Sequence, residues 1–225
     1  MKERILFEDN HLIVVVKKAG ELVQGDLTGD QPLVEEVKKF IKKKYNKPGA
    51  VYLGVVHRLD RPTSGVVVFA KTSKALARLN DQFKKRVPKK TYWALVSTRF
   101  SESEGTMVHW MTRNTKQNKS KAHIREVPQS KYAKLHYSCI KILNNYKLLE
   151  IQLETGRHHQ IRAQLSTAGY PIQGDLKYGA GRSNKEGHIS LHAYRLEINH
   201  PITKKTMIFT SNPPKLGVWK AVLSD

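Results

Sequence analysis

The longest apolar runs in this chain are LIVVV at residues 12–16 and VVVFA at residues 66–70. Short runs that are rich in β-branched residues are typical of buried strands. They fall far short of the roughly 20 apolar residues that a helix needs to cross a bilayer. The two runs therefore predict core strands and argue against a membrane protein.

The remaining periodic segments are mostly strand-like, and some are joined by short turns. Strands are predicted at residues 5–8, 51–56, 92–98, 132–143, 146–154, 190–199 and 205–211. The pair Asn144-Asn145 suits a hairpin turn between two of them. Residues 99–127 are polar and predict a long loop or an excursion with weak strands.

Helical spacing is clear in only a few places. Helices are expected at residues 33–45, 73–87 and 157–168, with Asp30 and Ser73 as candidate N-terminal caps and Gly169 as a stop. Because strands dominate, we expect an α+β fold with a mainly antiparallel sheet rather than a doubly wound parallel sheet. With no internal repeat and no low-complexity linker, residues 1–225 are predicted to form a single domain.

Charge is the strongest compositional signal. The chain has 40 Lys and Arg against 19 Asp and Glu, a net charge of +21. Basic clusters are spread widely, at residues 42–44, 84–86, 89–90 and 116–125. This distribution favours a broad face for a folded nucleic acid over a membrane-surface helix, where the charge would be concentrated. Residues 116–125 are either a disordered, solvated loop or a loop that clamps RNA.

Several classes of cofactor and compartment are disfavoured. A single cysteine, Cys139, allows neither an internal disulfide nor a cysteine-rich zinc site. Neighbouring His158 and His159 would point about 100° apart on a helix, so they cannot share one metal ion. No dinucleotide or phosphate-loop pattern is present, so no nucleotide cofactor is expected. Without a signal-peptide pattern, the expected compartment is the cytoplasm.

The polar segment HRLDRPTSG, residues 57–65, lies between two predicted core strands. Asp60 within it could be an ordinary loop residue that caps a turn and pairs with Arg58 or Arg61. However, a loop fixed by two buried strands is also a good platform for catalysis. Flanking arginines favour the charged form of an aspartate, as a nucleophile or base requires.

This segment resembles the signature motif of the RluA-type family of pseudouridine synthases. Further resemblances follow in the family's order, over about residues 5–201: KTYWALV at 90–96, LETGRHHQIR at 153–162, GDLKYG at 174–179, LHA at 191–193 and HP at 200–201. Two departures are Lys18, where the family usually has proline, and His158, where threonine or serine is usual. The resemblance implies the pseudouridine synthase catalytic fold, without the small S4 domain that many relatives carry.

The resemblance also implies a division of labour at the site. Asp60 would attack the uridine as the N1–C1′ bond breaks, after which the uracil reattaches through C5. Tyr92 would stack on the target base and assist proton removal from C5. Arg162 would pair with Asp60 and keep it ionised. No cofactor and no metal are implied.

Other residues would hold the RNA or the site in place. Arg58 would contact the RNA backbone and help to keep the nucleotide flipped out of its helix, which costs a few kcal/mol. His57, Thr63 and Arg157 would support the site, and Ile161 would line an apolar pocket. The implied substrate is structured RNA, ribosomal or transfer, and the expected state is a monomer.

Two other classes of function remain to be weighed. A non-catalytic RNA-binding or ribosome-assembly protein could use the same fold, but it would not need Asp60, Tyr92 and Arg162 together. A nuclease would be expected to carry a cluster of metal-binding carboxylates, which the sequence lacks.

Overall fold

The computed structural model describes residues 1–184 and 187–224. The strands are β1 (Ile5–Glu8), β2 (Leu12–Lys17), β3 (Gly54–Val55), β4 (Ser64–Ala70), β5 (Lys89–Ser97), β6 (Glu104–Asn114), β7 (Lys119–His123), β8 (Lys131–Ile142), β9 (Tyr146–Leu153), β10 (Leu191–Asn199) and β11 (Thr206–Thr210). The helices are α1 (Leu33–Lys44), α2 (Ser73–Lys84), α3 (Gln160–Thr167) and α4 (Trp219–Leu223), with 3₁₀ turns at Lys2–Arg4 and Leu176–Tyr178. The predicted α+β class is confirmed.

The chain divides into two compact units. One comprises Met1–Lys89 and Ala193–Asn212, and the other comprises Lys90–His192 and Pro213–Asp225. The expectation of one catalytic domain over residues 1–225 stays a prediction. Within the part of the chain that the structure describes, no helix is long and apolar enough to cross a membrane.

The first unit is built on a sheet in the order β1–β2–β4–β10, with β3 beside β4 and β11 beside β10. Strand β4 is buried along its whole length, and β2 pairs with it antiparallel from Leu12↔Ala70 to Lys17↔Gly65. Helix α2 buries Ala75 and Leu79 in the cluster that β2 and β4 form. The apolar runs at residues 12–16 and 66–70 are therefore adjacent core strands, as predicted.

Gly65, at the start of β4, has no room for a side chain. Its φ is +126°, and a Cβ atom there would collide with the backbone of Ala193. Only glycine combines this backbone conformation with such a close approach of two strands.

Three local predictions for this unit were wrong. The cap of α2 is Thr72, whose Oγ1 accepts from the backbone N–H of Ala75, and not Ser73. Asp30 does not cap α1, because that helix starts after Pro32 without a side-chain cap. Of the strand predicted at residues 51–56, only Gly54 and Val55 pair with β4.

The second unit is an antiparallel sheet in the order β5–β9–β8–β6–β7. The predicted hairpin is present as β8 and β9, closed by a hydrogen bond from the N–H of Leu143 to the carbonyl of Tyr146. Strands β5, β8 and β9 share a hydrophobic cluster with Ile161 and Leu165 of α3. Trp219 of α4 packs on Leu95 and Leu148.

Of the two alternatives predicted for residues 99–127, the excursion with strands is confirmed, since the segment contains the 11-residue strand β6 and its partner β7. One prediction for this unit needs correction. Helix α3 begins at Gln160 rather than at residue 157, because His159 before it has a left-handed backbone with φ 53°. Its end is as predicted, at Ala168 and a Gly169 with φ +88°.

Candidate active site

Lys17, the last residue of β2, organises the loop that contains Asp60. Its side chain is fully buried, and its Nζ donates to the carbonyl oxygens of Thr63 at 2.6 Å, Arg61 at 3.0 Å and Asp60 at 3.2 Å. A fourth bond, 3.0 Å long, goes to the carbonyl of Lys18. The backbone of the loop is therefore wrapped around one buried amine.

The environment of Lys17 explains its protonation behaviour. Burial lowers the pKa of Lys17 from 10.5 to about 7, although the charges of Glu21 and Asp60 act in the opposite direction. Lysine is almost never fully buried unless it is paired. Here the partners are carbonyl dipoles, which the ammonium form satisfies with all of its N–H donors.

The side chains of the loop differ in exposure. Leu59 is buried and anchors the loop, Asp60 is half-buried, and Arg58 and Arg61 are exposed. Arg61 donates from Nε to the carbonyl of Gly20 at 3.0 Å, and its guanidinium lies 2.6 Å from a carboxylate oxygen of Asp30. Asp30, predicted as a helix cap, is thus an ion-pair partner of this loop.

His57 and Thr63, the predicted supports in this loop, are both tied to its base. The Nε2 atom of His57 accepts from the N–H of Val68 at 3.1 Å, and its ring stacks on Phe83 with centroids 5.0 Å apart. Thr63 donates its N–H to the carbonyl of Asp60 at 3.0 Å and is 2 % exposed. Its Oγ1 has no hydrogen-bond partner among the residues that the structure describes.

The second unit contains Tyr92, Ile161, Arg162 and Arg157. Tyr92 lies in β5 opposite Ile151 and packs against the hydrophobic cluster, in which Ile161 is buried. Arg157 donates from Nε to the carbonyl of Tyr132 at 2.9 Å, which ties the segment before α3 to β8. The supporting role predicted for Arg157 stays a prediction.

Arg162 is held on one edge by a buried carboxylate. Its Nε and Nη2 atoms donate to the two carboxylate oxygens of Asp175 at 2.7 Å and 2.8 Å, a bidentate pair. The guanidinium carbon lies 4.9 Å from the centroid of the Tyr178 ring. Both side chains of the pair are almost fully buried. The predicted pairing of Arg162 with Asp60 stays a prediction.

His159 and Tyr178 form a second buried contact beside Arg162. The Tyr178 hydroxyl accepts from the N–H of Ser120 at 2.9 Å and lies 2.9 Å from Nδ1 of His159. Burial, followed by the nearby charge of Arg162, lowers the pKa of His159 to about 2. The imidazole is therefore neutral, and its Nδ1 can accept a hydrogen bond from the hydroxyl group of Tyr178.

Four residues have contacts here for which the sequence predicted no role: Lys17, Asp175, Tyr178 and His159. Asp175 and Tyr178 lie in the GDLKYG landmark, so the resemblance marked their segment without identifying their contacts. Lys17 carried no signal, because a lysine that ends an apolar strand normally reaches solvent. Among residues 1–184 and 187–224, no three His, Cys, Asp or Glu side chains cluster as metal ligands would.

Comparison with known proteins places these residues in a family context. The family model described as RNA pseudouridylate synthase matches residues 11–167. The chain is 41% identical over 169 residues to an uncharacterized RNA pseudouridine synthase of Chloroflexus aurantiacus, covering 74% of this chain and 52% of the relative. It is 36% identical over 223 residues to ribosomal large subunit pseudouridine synthase D of Zymomonas mobilis, covering 94% and 69%.

The fold is also found among solved structures. Human RNA pseudouridylate synthase domain containing 4 superposes with a TM-score of 0.80 at 23% identity, over 95% of this chain and 90% of that chain. The aligned region spans about half to just over two thirds of the length of these curated bacterial relatives.

Proposed function

This chain belongs to the RNA pseudouridylate synthase family, as its RluA-type motifs predicted, and we propose that it isomerises a uridine of structured RNA to pseudouridine. The observation that carries the proposal is the loop that presents Asp60. Its backbone is fixed by Lys17, its first residue, His57, is tied to Val68 of β4, and it lies within the region that the family model matches. A rigid support of this kind suits a nucleophile that must attack in one geometry.

The chemistry that we assign to Asp60 is nucleophilic catalysis. The Asp60 carboxylate forms a bond to the target nucleotide, and the N1–C1′ bond of the uridine breaks. The uracil turns, C5 forms a bond to C1′, and the bond between Asp60 and the nucleotide breaks, which regenerates the carboxylate. The C5 proton then leaves, and N1 gains a proton. The atoms of substrate and product are the same, so the reaction needs no oxidant, reductant or second substrate.

We assign Tyr92 and Arg162 to the same reaction. Tyr92 stacks on the target base, an interaction worth roughly 1–3 kcal/mol for a base on an aromatic ring, and assists proton removal from C5. Arg162 stabilises the ionised form of Asp60. The bidentate bond to Asp175 and the contact with Tyr178 support this role, because they fix the orientation of the guanidinium.

The remaining predicted residues bind or support. Arg58 is exposed beside Asp60, so its guanidinium can reach an RNA phosphate. Ile161 provides apolar surface for the uracil, while His57, Thr63 and Arg157 keep the site in shape. The charge of +21 offsets part of the cost of flipping the nucleotide out of its helix.

We propose large-subunit ribosomal RNA as the target. Three bacterial relatives, each at least 32% identical, bear the name ribosomal large subunit pseudouridine synthase C or D. The choice between ribosomal and transfer RNA can be tested by mapping pseudouridines in total RNA from cells with and without the gene. A missing pseudouridine confined to transfer RNA would overturn the ribosomal assignment. A monomer in the cytoplasm stays our prediction for its state and location.

The decisive variant is Asp60→Asn, which keeps the size of the side chain and removes its charge. We expect pseudouridine formation to be abolished while RNA affinity stays within about threefold of wild type, a difference below 1 kcal/mol. Asp81→Asn is the matched control, because Asp81 is an exposed residue of α2 that pairs with Lys85. Turnover of the Asp60→Asn enzyme at the wild-type rate would refute the mechanism.

A further inference from the structure

The basic segment at residues 116–125 forms part of an ordered hairpin. Its residues Lys119–His123 are β7, which pairs antiparallel with β6 from Trp110↔His123 to Asn114↔Lys119. Of the two alternatives left open by the sequence, the disordered loop is therefore wrong. The hairpin places several cations on a defined surface of the second unit.

The turn of the hairpin is fixed by contacts with the segments around α3. Lys177 donates from Nζ to the carbonyls of Gln117 at 3.2 Å and Asn118 at 3.1 Å. His158 contacts the Asn118 side chain at 3.1 Å through Nε2 and the Ser120 hydroxyl at 2.8 Å through Nδ1. A surface held in this way is formed before any ligand arrives, which lowers the entropy cost of binding.

Between this hairpin and α3 lies a groove of about 500 Å³. Lys119 and Lys121 line it together with Asn114, Ser166, Thr167 and the buried Tyr178. Nζ of Lys119 lies 5.2 Å from the centroid of the Tyr178 ring. The volume is within the usual range of ligand sites, about 300–1,000 Å³.

The charge of the groove is one-sided. Its described lining contains two lysines and no carboxylate. Neither lysine forms an ion pair with any carboxylate in the part of the chain that the structure describes. Unneutralised cations beside amide and hydroxyl groups are the donors that proteins use to bind phosphate oxygens.

We propose that this groove binds a backbone phosphate and its adjoining nucleotide from the RNA strand that flanks the target uridine. The inference rests on the proposed function and adds a second place at which the enzyme holds its RNA. Without a lining carboxylate, the groove has no Asp nucleophile and holds the nucleotide without reacting with it. Asn114, Lys121 and Thr167 are exposed at its rim, so a continuous strand can pass through.

The test compares two double variants of equal charge. Lys119→Gln with Lys121→Gln removes both groove cations, whereas Lys215→Gln with Lys220→Gln removes two exposed lysines elsewhere in the same unit. Affinity for a uridine-containing stem-loop oligoribonucleotide is measured by fluorescence anisotropy over a salt series. We expect the groove variant to bind about tenfold more weakly and to lower the slope of log K against log salt by about 2.

Replacing Lys119 also removes its contact with the Tyr178 ring, which could alter the structure of the groove. A second variant therefore changes the charge of the groove without removing that contact. Asn114→Asp keeps the Oδ1 acceptor that the N–H of Gln117 uses at 3.0 Å, and it adds a negative charge in the groove. We expect RNA affinity to fall several-fold with unchanged thermal stability. Wild-type affinity in this variant would overturn the proposal.

The experiments distinguish an error in the groove proposal from an error in the proposed function. Active enzyme whose groove and control variants bind RNA equally well would overturn the groove alone. Selective loss of binding in the groove variant, in a protein that forms no pseudouridine in any RNA, would overturn the function and leave the groove. Displacement of the RNA by inorganic phosphate or uridine monophosphate at low millimolar concentration would overturn its assignment to an RNA strand.

Discussion

Lys17 and Thr63 are joined by a 2.6 Å hydrogen bond from the buried amine to a backbone carbonyl. Because the same amine also binds the carbonyls of Asp60 and Arg61, the end of β2 is tied to the loop through three of its residues. A side chain far from solvent thus sets the backbone position of the proposed nucleophile.

Lys17→Met should loosen this loop. The substitution nearly preserves side-chain volume but removes the amine that binds the carbonyls of Thr63, Asp60 and Arg61. The carbonyls of Asp60 and Arg61 each keep one backbone N–H partner, so we expect the free energy of unfolding to fall by about 2–4 kcal/mol rather than more. Turnover should fall further than RNA affinity, because the site loses its geometry and keeps its charged surface. Chemical denaturation and single-turnover assays measure the two effects. Lys18→Met, at the exposed neighbouring position, is the control, and equal behaviour of the two variants would contradict the role of Lys17.

Asp175→Asn should weaken both the fold and the reaction. It leaves the buried guanidinium of Arg162 without its charged partner, and breaking a buried ion pair costs about 3–5 kcal/mol. We expect a comparable loss in the free energy of unfolding and a lower turnover in the folded fraction. Glu154→Gln removes a carboxylate that is exposed and pairs with Lys134, so its effect on the free energy of unfolding should be much smaller. Similar stability of the two variants would refute the prediction.

His159 should make the fold sensitive to acid. Its pKa is about 2 in the folded chain and near 6.5 when unfolded, so between these values only the unfolded chain binds the proton. The free energy of unfolding is therefore not reduced by His159 above pH 6.5, and it falls as the pH decreases from 6.5 toward 2. At about pH 5 the loss should be about 2 kcal/mol. Asn tolerates the left-handed backbone at this position, and urea unfolding of His159→Asn at both pH values should show a smaller loss. An equal loss in wild type and variant would exclude His159 as the cause.

Thr63→Val should not weaken the fold. The Thr63 hydroxyl is buried without a hydrogen-bond partner in the described part of the chain, so replacing it by a methyl group of the same shape should leave stability unchanged or raise it by about 1 kcal/mol. Thermal unfolding checks this outcome. A destabilised variant would show that the hydroxyl is bound within the folded chain.

Much of the fold could be predicted from the sequence because apolar runs and turn residues act locally. The core strands, the hairpin about Asn144 and the end of α3 at Gly169 are of this kind. Strand β6 was predicted only as a weak strand or a loop, for a physical reason. Its buried residues Met107 and Met111 are separated on the same face by His109, which interrupts the apolar alternation and instead hydrogen-bonds Gln164 at 3.0 Å.

The candidate site likewise contains residues that could be predicted from the sequence and residues that could not. Asp60, Tyr92 and Arg162 could be proposed because they belong to ordered motifs. The partners that hold them could not, because Lys17 and Asp175 act through contacts between residues that are distant in sequence. The predicted cap of α2 was wrong for a smaller reason, since the neighbours Thr72 and Ser73 can both cap a helix and only the backbone decides between them.

The tight approach of β4 and β10 at Gly65 has a consequence for genetic experiments. Any other amino acid at this position would place a Cβ atom against the backbone of Ala193, and a backbone contact cannot be relieved by choosing another rotamer. In a saturation library of this gene, selection for folded protein should remove every missense codon at position 65. Most variants with a substitution at the exposed Arg61 should still fold and should be retained. The depth of that depletion would report on the pairing of two strands without any assay of RNA.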